Sequence, residues 1–334
     1  MTEYILTRED EIENTAGQKA KEDIKDILIR QGFKECSIKI RDSRVKKIIF
    51  TKYDVLKALK GVKKDDTVFI QYPIASRFTT KVILNECNKK NAKVICIIHD
   101  LESIRLYKNN PTKIKDEIKI LKKFDCIISH NYKMNIWLEE RGIQADKLIS
   151  LEIFDYLSDV KSPEVSLKKE IIFAGNLIKS EFLNFWDIDV NLKVFGINPS
   201  DEYPKNIEYC GVRSPQELPK YLDGSFGLVW DGTSVTTNNG VYGEYTKYNN
   251  PHKVSLYLSC GLPVIVWKEA AVAKFVEQNN LGMVVSNLNE IPDKLRHITE
   301  KDYDIIHKNA ENMGKKMRNG YFTTKAIKKS MQAI

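Results

Sequence analysis

Short apolar runs alternate along the chain with stretches whose apolar residues recur at helical spacing. In the first half the runs at 47–51, 67–72, 93–98, 126–130 and 148–153 read as strands. Helical spacing falls between them at 16–31, 55–59, 79–91, 111–123 and 133–141. In the second half strands are expected at 171–174, 192–195, 207–209, 226–230, 264–267 and 283–285, with helices at 215–222, 251–259, 272–278 and 302–318. Runs such as "VICII" and "VIVW" are apolar at every position, as in strands covered by helices on both faces. The alternation predicts parallel, doubly wound sheets. Between the halves "YLSDVKSPEVSLKKE" is polar, carries Pro163 and has no period, so it reads as an interdomain linker. Two α/β domains with a cleft between them are expected, at 1–160 and 161–310, with a C-terminal helical segment at 311–334.

The stretch "YNNPHKVSLYLSCGLPVIVW" shows how the pattern bears on chemistry. Asn250 has the character of an N-cap and Pro251 suits a first helical position; Val254, Tyr257 and Leu258 share a face, and Gly261 and Pro263 stop the helix. Lys253 in the first turn opposes the helix dipole. Either it is an exposed lysine on a surface helix, or an anion sits there. In open α/β sheets, ligands bind beyond the carboxyl ends of the strands. The residues after three other expected strands fit that rule: His99 and Asp100; Gly175, Asn176 and Lys179; Asp231 and Gly232. A Gly-Asn turn leading to Lys179 brings backbone N–H groups and an ammonium to a diphosphate, or is a plain turn. Asp100, partnered by His99, removes a proton from an acceptor hydroxyl, or the pair caps the next helix. Near the N-terminus Asn14 or Thr15 reads as a helix cap followed by the small residues Ala16 and Gly17, which let a substrate approach the helix backbone closely, or is an N-cap with an ordinary first turn. Tyr242, Tyr245 and Tyr248 offer rings for stacking on a sugar or base within a polar loop.

Composition narrows the classes. A 334-residue chain with 42% hydrophobic and 29% charged residues has enough apolar material for two cores. It contains no membrane-span-length apolar run, and its acidic start lacks a signal-peptide pattern, so a cytoplasmic protein is expected. The six cysteines are scattered without a C-x-x-C pair, predicting reduced thiols and no structural zinc. A net charge of +8 suits anionic substrates or anionic lipid headgroups. Without a basic arm, recognition-helix signature or aromatic RNA-binding strand, nucleic acid is set aside. Dinucleotide-binding, P-loop and nucleophile-elbow motifs are absent, and the histidines lack metal spacing. Asp187-Ile188-Asp189 has the spelling of a metal-diphosphate motif but precedes an expected strand, where a surface turn is the simpler reading.

The stretches "HDLESIR", "FAGNLIKSEFL", "GLVWDG", "GEYTKYNNPHKVSLYLSCGLPVIVW" and "AVAKFVEQNNLG" resemble the motif series of bacterial GT-B glycosyltransferases. The resemblance is to β-1,6-galactofuranosyltransferase-like enzymes and the related glucosyltransferase 3 enzymes that extend O-linked GlcNAc on serine-rich adhesins. It runs from "NTAGQKA" to "GYFTTKAIKKSM". It implies two Rossmann-like domains facing a cleft, with the C-terminal segment packing back toward the first. The donor would be a UDP-sugar held mainly by the second domain, with inversion at the anomeric carbon and no obligatory metal or other cofactor. A glycan acceptor on a lipid carrier or protein and homo-oligomers belong to the same expectation, while the positive charge suits association with the inner membrane face. By position, Thr15 would edge the donor, Lys179 would replace a family arginine near the diphosphate, and Asn250 and Lys253 would contact nucleotide. A lysine at 179 lacks the arginine fork. A nucleotide-contacting tyrosine of the glucosyltransferase 3 enzymes has no clear counterpart in "YCGVRSPQEL", which favours the galactofuranosyltransferase-like branch. A UDP-sugar 2-epimerase and a non-catalytic UDP-binding partner subunit are the competing readings.

Overall fold

In the computed structural model, which describes residues 1–9, 16–41, 43–159, 166–168 and 170–334, two separate parallel sheets account for the apolar runs. The first contains β1 (Glu3–Glu9), β2 (Lys34–Lys39), β3 (Thr67–Tyr72), β4 (Lys93–Ile98), β5 (Cys126–Ser129) and β6 (Leu148–Ser150), in the order β2-β1-β3-β4-β5-β6. The second contains β7 (Ile171–Ala174), β8 (Leu192–Phe195), β9 (Ile207–Tyr209), β10 (Phe226–Val229), β11 (Val264–Trp267) and β12 (Gly282–Val285), in the order β12-β11-β10-β7-β8-β9. Every ladder is parallel. The central strands β3, β5, β7, β10 and β11 are buried throughout, because helical crossovers cover both faces of a parallel sheet.

One compact unit comprises Met1–Glu13, Lys21–Leu151 and Thr323–Ile334; the other comprises Asn14–Ala20 and Glu152–Phe322. In the second unit the chain runs outward from β7 to β9, then returns to β10 on the other side of β7. That reversal is the topological switch point of a Rossmann-like sheet. In the first unit the equivalent reversal lies between β1 and β3. Both units are thus Rossmann-like.

Several expected elements differ. The run at 47–51 is not a strand but part of a helix, Arg44–Ala58, whose buried positions Thr51, Val55 and, just past its end, Leu59 recur at helical spacing. The first sheet instead takes β1 and β2, which charged residues conceal: β2 reads "KECSIK" and buries only Cys36 and Ile38. The helix expected at 215–222 is a short 3-10 turn, Leu218–Tyr221. The loop from 233 to 250 contains the helix Gly240–Tyr245, and helices Ile291–His297 and Tyr321–Gln332 also form. Residues 160–165 and 169 of the expected linker lie outside the described residues, as does Thr15. All six cysteines are free thiols, five of them buried. Asp187 and Asp189 are exposed on either side of buried Ile188.

Candidate functional site

The helix His252–Ser259 begins one residue later than its sequence suggests. Pro251 is the extended N-cap residue, and the Asn250 amide donates to the Glu152 carbonyl (3.1 Å). Tyr257 locks the helix to the second sheet: its hydroxyl accepts from the Ala174 backbone N–H at the end of β7 (2.8 Å). Gly227 of β10 makes room for this ring, since a Cβ there would lie 2.3 Å from it. Gly261, at φ +75°, ends the helix as expected.

That anchoring fixes Lys253 beside the switch point. Its Nζ donates to the Trp230 carbonyl (2.9 Å) and to Asp231 Oδ1 (2.8 Å), and lies 4.3 Å from the Phe173 ring centroid. Each side chain of the ion pair is 15% exposed. A Cβ at Gly175 would lie 2.9 Å from Lys253 Cε, so glycine after β7 lets the lysine cross the strand end. Asp231 is held in turn by its backbone N–H, which donates to Asn238 Oδ1 (2.7 Å). Burial pushes the Lys253 ammonium below its usual range, opposed by Asp231 and assisted by the nearby positive charge of Lys179.

The loops after β7 and β10 are tied together: Gly232 N–H donates to the Lys179 carbonyl (2.8 Å) and Phe182 N–H to the Gly232 carbonyl (3.0 Å). The Asn176 side chain accepts from Ile178 N–H (3.3 Å) and Asn198 Nδ2 (2.9 Å). Lys179 Nζ lies 4.2 Å from the Tyr242 ring centroid, and among the described residues it has no carboxylate partner. Two ammonium groups therefore stand near one carboxylate, leaving one positive charge uncompensated. Gly175, Asn176, Lys179, Asp231 and Lys253 come together here, at the position where Rossmann-like sheets bind ligands.

The other expected residues are distributed around this group or lie elsewhere. Tyr248 is half-buried in the turn after the helix Gly240–Tyr245. Gly17 belongs to the second unit and is exposed, with nothing within 4 Å of where its Cβ would be. Lys19, two residues onward, donates to the Leu157 carbonyl (2.8 Å) and lies over Tyr156. His99 and Asp100 belong to the first unit, beyond β4. His99 Nε2 pairs with Gln71 Oε1 (2.7 Å), and Asp100 Oδ2 accepts from Arg105 Nη1 (2.8 Å). The next helix, Glu102–Arg105, has Leu101, not Asp100, as its N-cap residue.

Sequence reasoning missed Asn238 and Phe173. Phe173 looked like one more strand residue, and Asn238 like one more polar residue of a loop; neither partner lies at a telling spacing. Three buried polar atoms near the same loops have no hydrogen-bond partner among the described residues: Ser180 Oγ, Asn249 Oδ1 and His252 Nδ1. His252 stacks on Phe154 (4.7 Å), and burial, with a smaller contribution from Lys19, lowers its pKa to about 4. No group of three or more His, Cys, Asp or Glu residues is gathered as a metal site among the described residues.

Two sequence models of one family cover almost the whole chain: the glucosyltransferase 3-like N-terminal domain matches residues 3–153 and the C-terminal domain residues 171–330. The chain belongs to the glucosyltransferase 3-like family. It is a glycosyltransferase with the GT-B fold. Among relatives of this glucosyltransferase 3-like protein, the β-1,6-galactofuranosyltransferase WbbI of Escherichia coli (strain K12) is 32% identical over 314 residues, 92% of each chain. Glucosyltransferase 3 of Streptococcus parasanguinis is 27% identical over 278 residues, 82% of this chain and 81% of that one. The fold recurs in the apo lipopolysaccharide outer core galactosyltransferase WaaB, with a TM-score of 0.61 and 11% identity over 100% of both chains. It recurs also in an α-glucosyltransferase solved with UDP, with a TM-score of 0.58 and 10% identity over 99% of both.

Proposed function

We propose that the enzyme moves a hexose from a UDP-sugar to a hydroxyl of a glycan acceptor, with inversion at the anomeric carbon, and that the hexose is galactofuranose. The observation that carries the donor assignment is the uncompensated positive charge of Lys179 and Lys253 at the β7/β10 switch point. A diphosphate supplies the missing negative charge, and developing charge on the leaving UDP is stabilised by the same cations. Gly175 and Asn176 line that position, Asp231 orients Lys253, and Asn250, Tyr248 and Gly17 complete the donor surface. The 32% identity to WbbI, against 27% to a glucosyltransferase 3, favours galactofuranose over glucose.

In the proposed step the acceptor oxygen forms a bond to the anomeric carbon as the bond to the UDP oxygen breaks. Asp100 takes the acceptor proton, and His99, held by Gln71, orients the strand end. Arg105 Nη1 donates to Asp100 Oδ2 and holds the carboxylate at the strand end. Incubation with UDP-galactofuranose or UDP-glucose and a panel of glycan acceptors tests this reading. Disaccharide linkages of inverted configuration should form from UDP-galactofuranose, and Asp100→Asn should lower kcat about a hundredfold while leaving UDP affinity unchanged. Wild-type turnover in that variant would remove Asp100 from the chemistry.

A further inference from the structure

The helix Arg44–Ala58 has a second apolar face that stays largely exposed among the described residues, with Arg41 over the Phe50 ring. Its buried face, with Thr51 and Val55, packs onto the first unit. On the opposite side Val45, Ile48, Ile49, Phe50, Tyr53 and Leu56 are 41–66% exposed. Their spacing places Val45, Ile49, Tyr53 and Leu56 along one outward stripe, with Ile48 and Phe50 on its flanks. A helix that is apolar on both sides is one whose outer side is also covered in its working state.

The charges around this stripe identify what covers it. Lys46, Lys52, Lys57 and Lys60 are exposed among the apolar side chains. The one acid between residues 43 and 62 is Asp54, which is buried and neutralised by both Arg41 Nε (2.9 Å) and Arg41 Nη2 (2.7 Å). Among the described residues of the helix, the outer face is therefore apolar and cationic without an exposed acid. A second copy docked face to face would set lysines against lysines, which disfavours a symmetric dimer through this surface. An anionic lipid surface satisfies both components. Apolar side chains enter the boundary between headgroups and acyl chains, while lysine stems extend along it and the ammonium groups meet lipid phosphates.

We infer that the helix Arg44–Ala58 docks this enzyme on anionic membranes, lying in the plane of the interface. No helix among the described residues is long and apolar enough to cross a membrane, so the attachment assigned here is peripheral. It is independent of which donor sugar the enzyme uses, and its test has no catalytic readout.

The test is co-sedimentation of the full chain with vesicles of phosphatidylglycerol and phosphatidylethanolamine, against vesicles of phosphatidylcholine. Binding should require phosphatidylglycerol and weaken as salt is raised. Two double variants, I48S/I49S and K52E/K57E, should each lower the vesicle partition coefficient at least about tenfold, with thermal melting unchanged because the side chains are exposed. Absence of binding to phosphatidylglycerol vesicles, or binding that neither variant weakens, overturns the inference. A fall in oligomer size for I48S/I49S with unaltered vesicle binding also overturns it, and gives the face to a second copy.

Discussion

At the scale of single residues, two lysines that read alike in the sequence have different surroundings. Lys253 is committed to Trp230 and Asp231, whereas Lys179 rests on the edge of the loop beside Tyr242. Removing one member of a largely buried ion pair strands the other, so Lys253→Ala should cost about 3 kcal/mol in urea denaturation. The pair Lys253→Met with Asp231→Asn should recover much of that stability and still bind UDP weakly. Lys179→Ala should leave stability unchanged and lower UDP affinity about tenfold, the loss of one charge-assisted contact. Wild-type stability in Lys253→Ala would show that the ion pair does not organise the strand ends. His252 yields a pH signature. Its folded pKa of about 4 lies below the ordinary 6.5, so the unfolded chain binds the proton more readily. Stability should therefore fall as pH drops from 6.5 toward 4, and His252→Gln should flatten that part of the profile. An unaltered slope would contradict burial of a neutral imidazole.

At the scale of elements, the packing of the helix His252–Ser259 depends on a missing side chain. Gly227→Ala would drive a methyl into the Tyr257 ring and should cost about 2 kcal/mol, read as a lower urea midpoint. No change would mean that Tyr257 is free to move. The sequence carried this helix within one residue because Pro251, Gly261 and Pro263 punctuate it. It carried the central strands because full burial makes them uniformly apolar. It did not carry β2, an edge strand whose charged residues face water, nor the helix Arg44–Ala58, whose contiguous Ile48, Ile49 and Phe50 imitate a strand. The site was legible to the extent that residues after strand ends could be picked out; the Asn238 brace on Asp231 is a tertiary contact that no spacing announces.

At the scale of the whole molecule, two Rossmann-like sheets and family models matching residues 3–153 and 171–330 make this a GT-B glycosyltransferase. The switch point of the second sheet carries the close pair of lysines with one acid, which suits a diphosphate. On the function proposed above, this second site is built for a nucleoside diphosphate carrying uracil. Calorimetric titration of the protein with UDP, beside ADP, GDP and NAD, with and without Mg²⁺, tests it most directly. Selective UDP binding that survives removal of the metal and weakens in Lys179→Ala is expected. Failure to bind UDP, or equal binding of all four nucleotides, would contradict it.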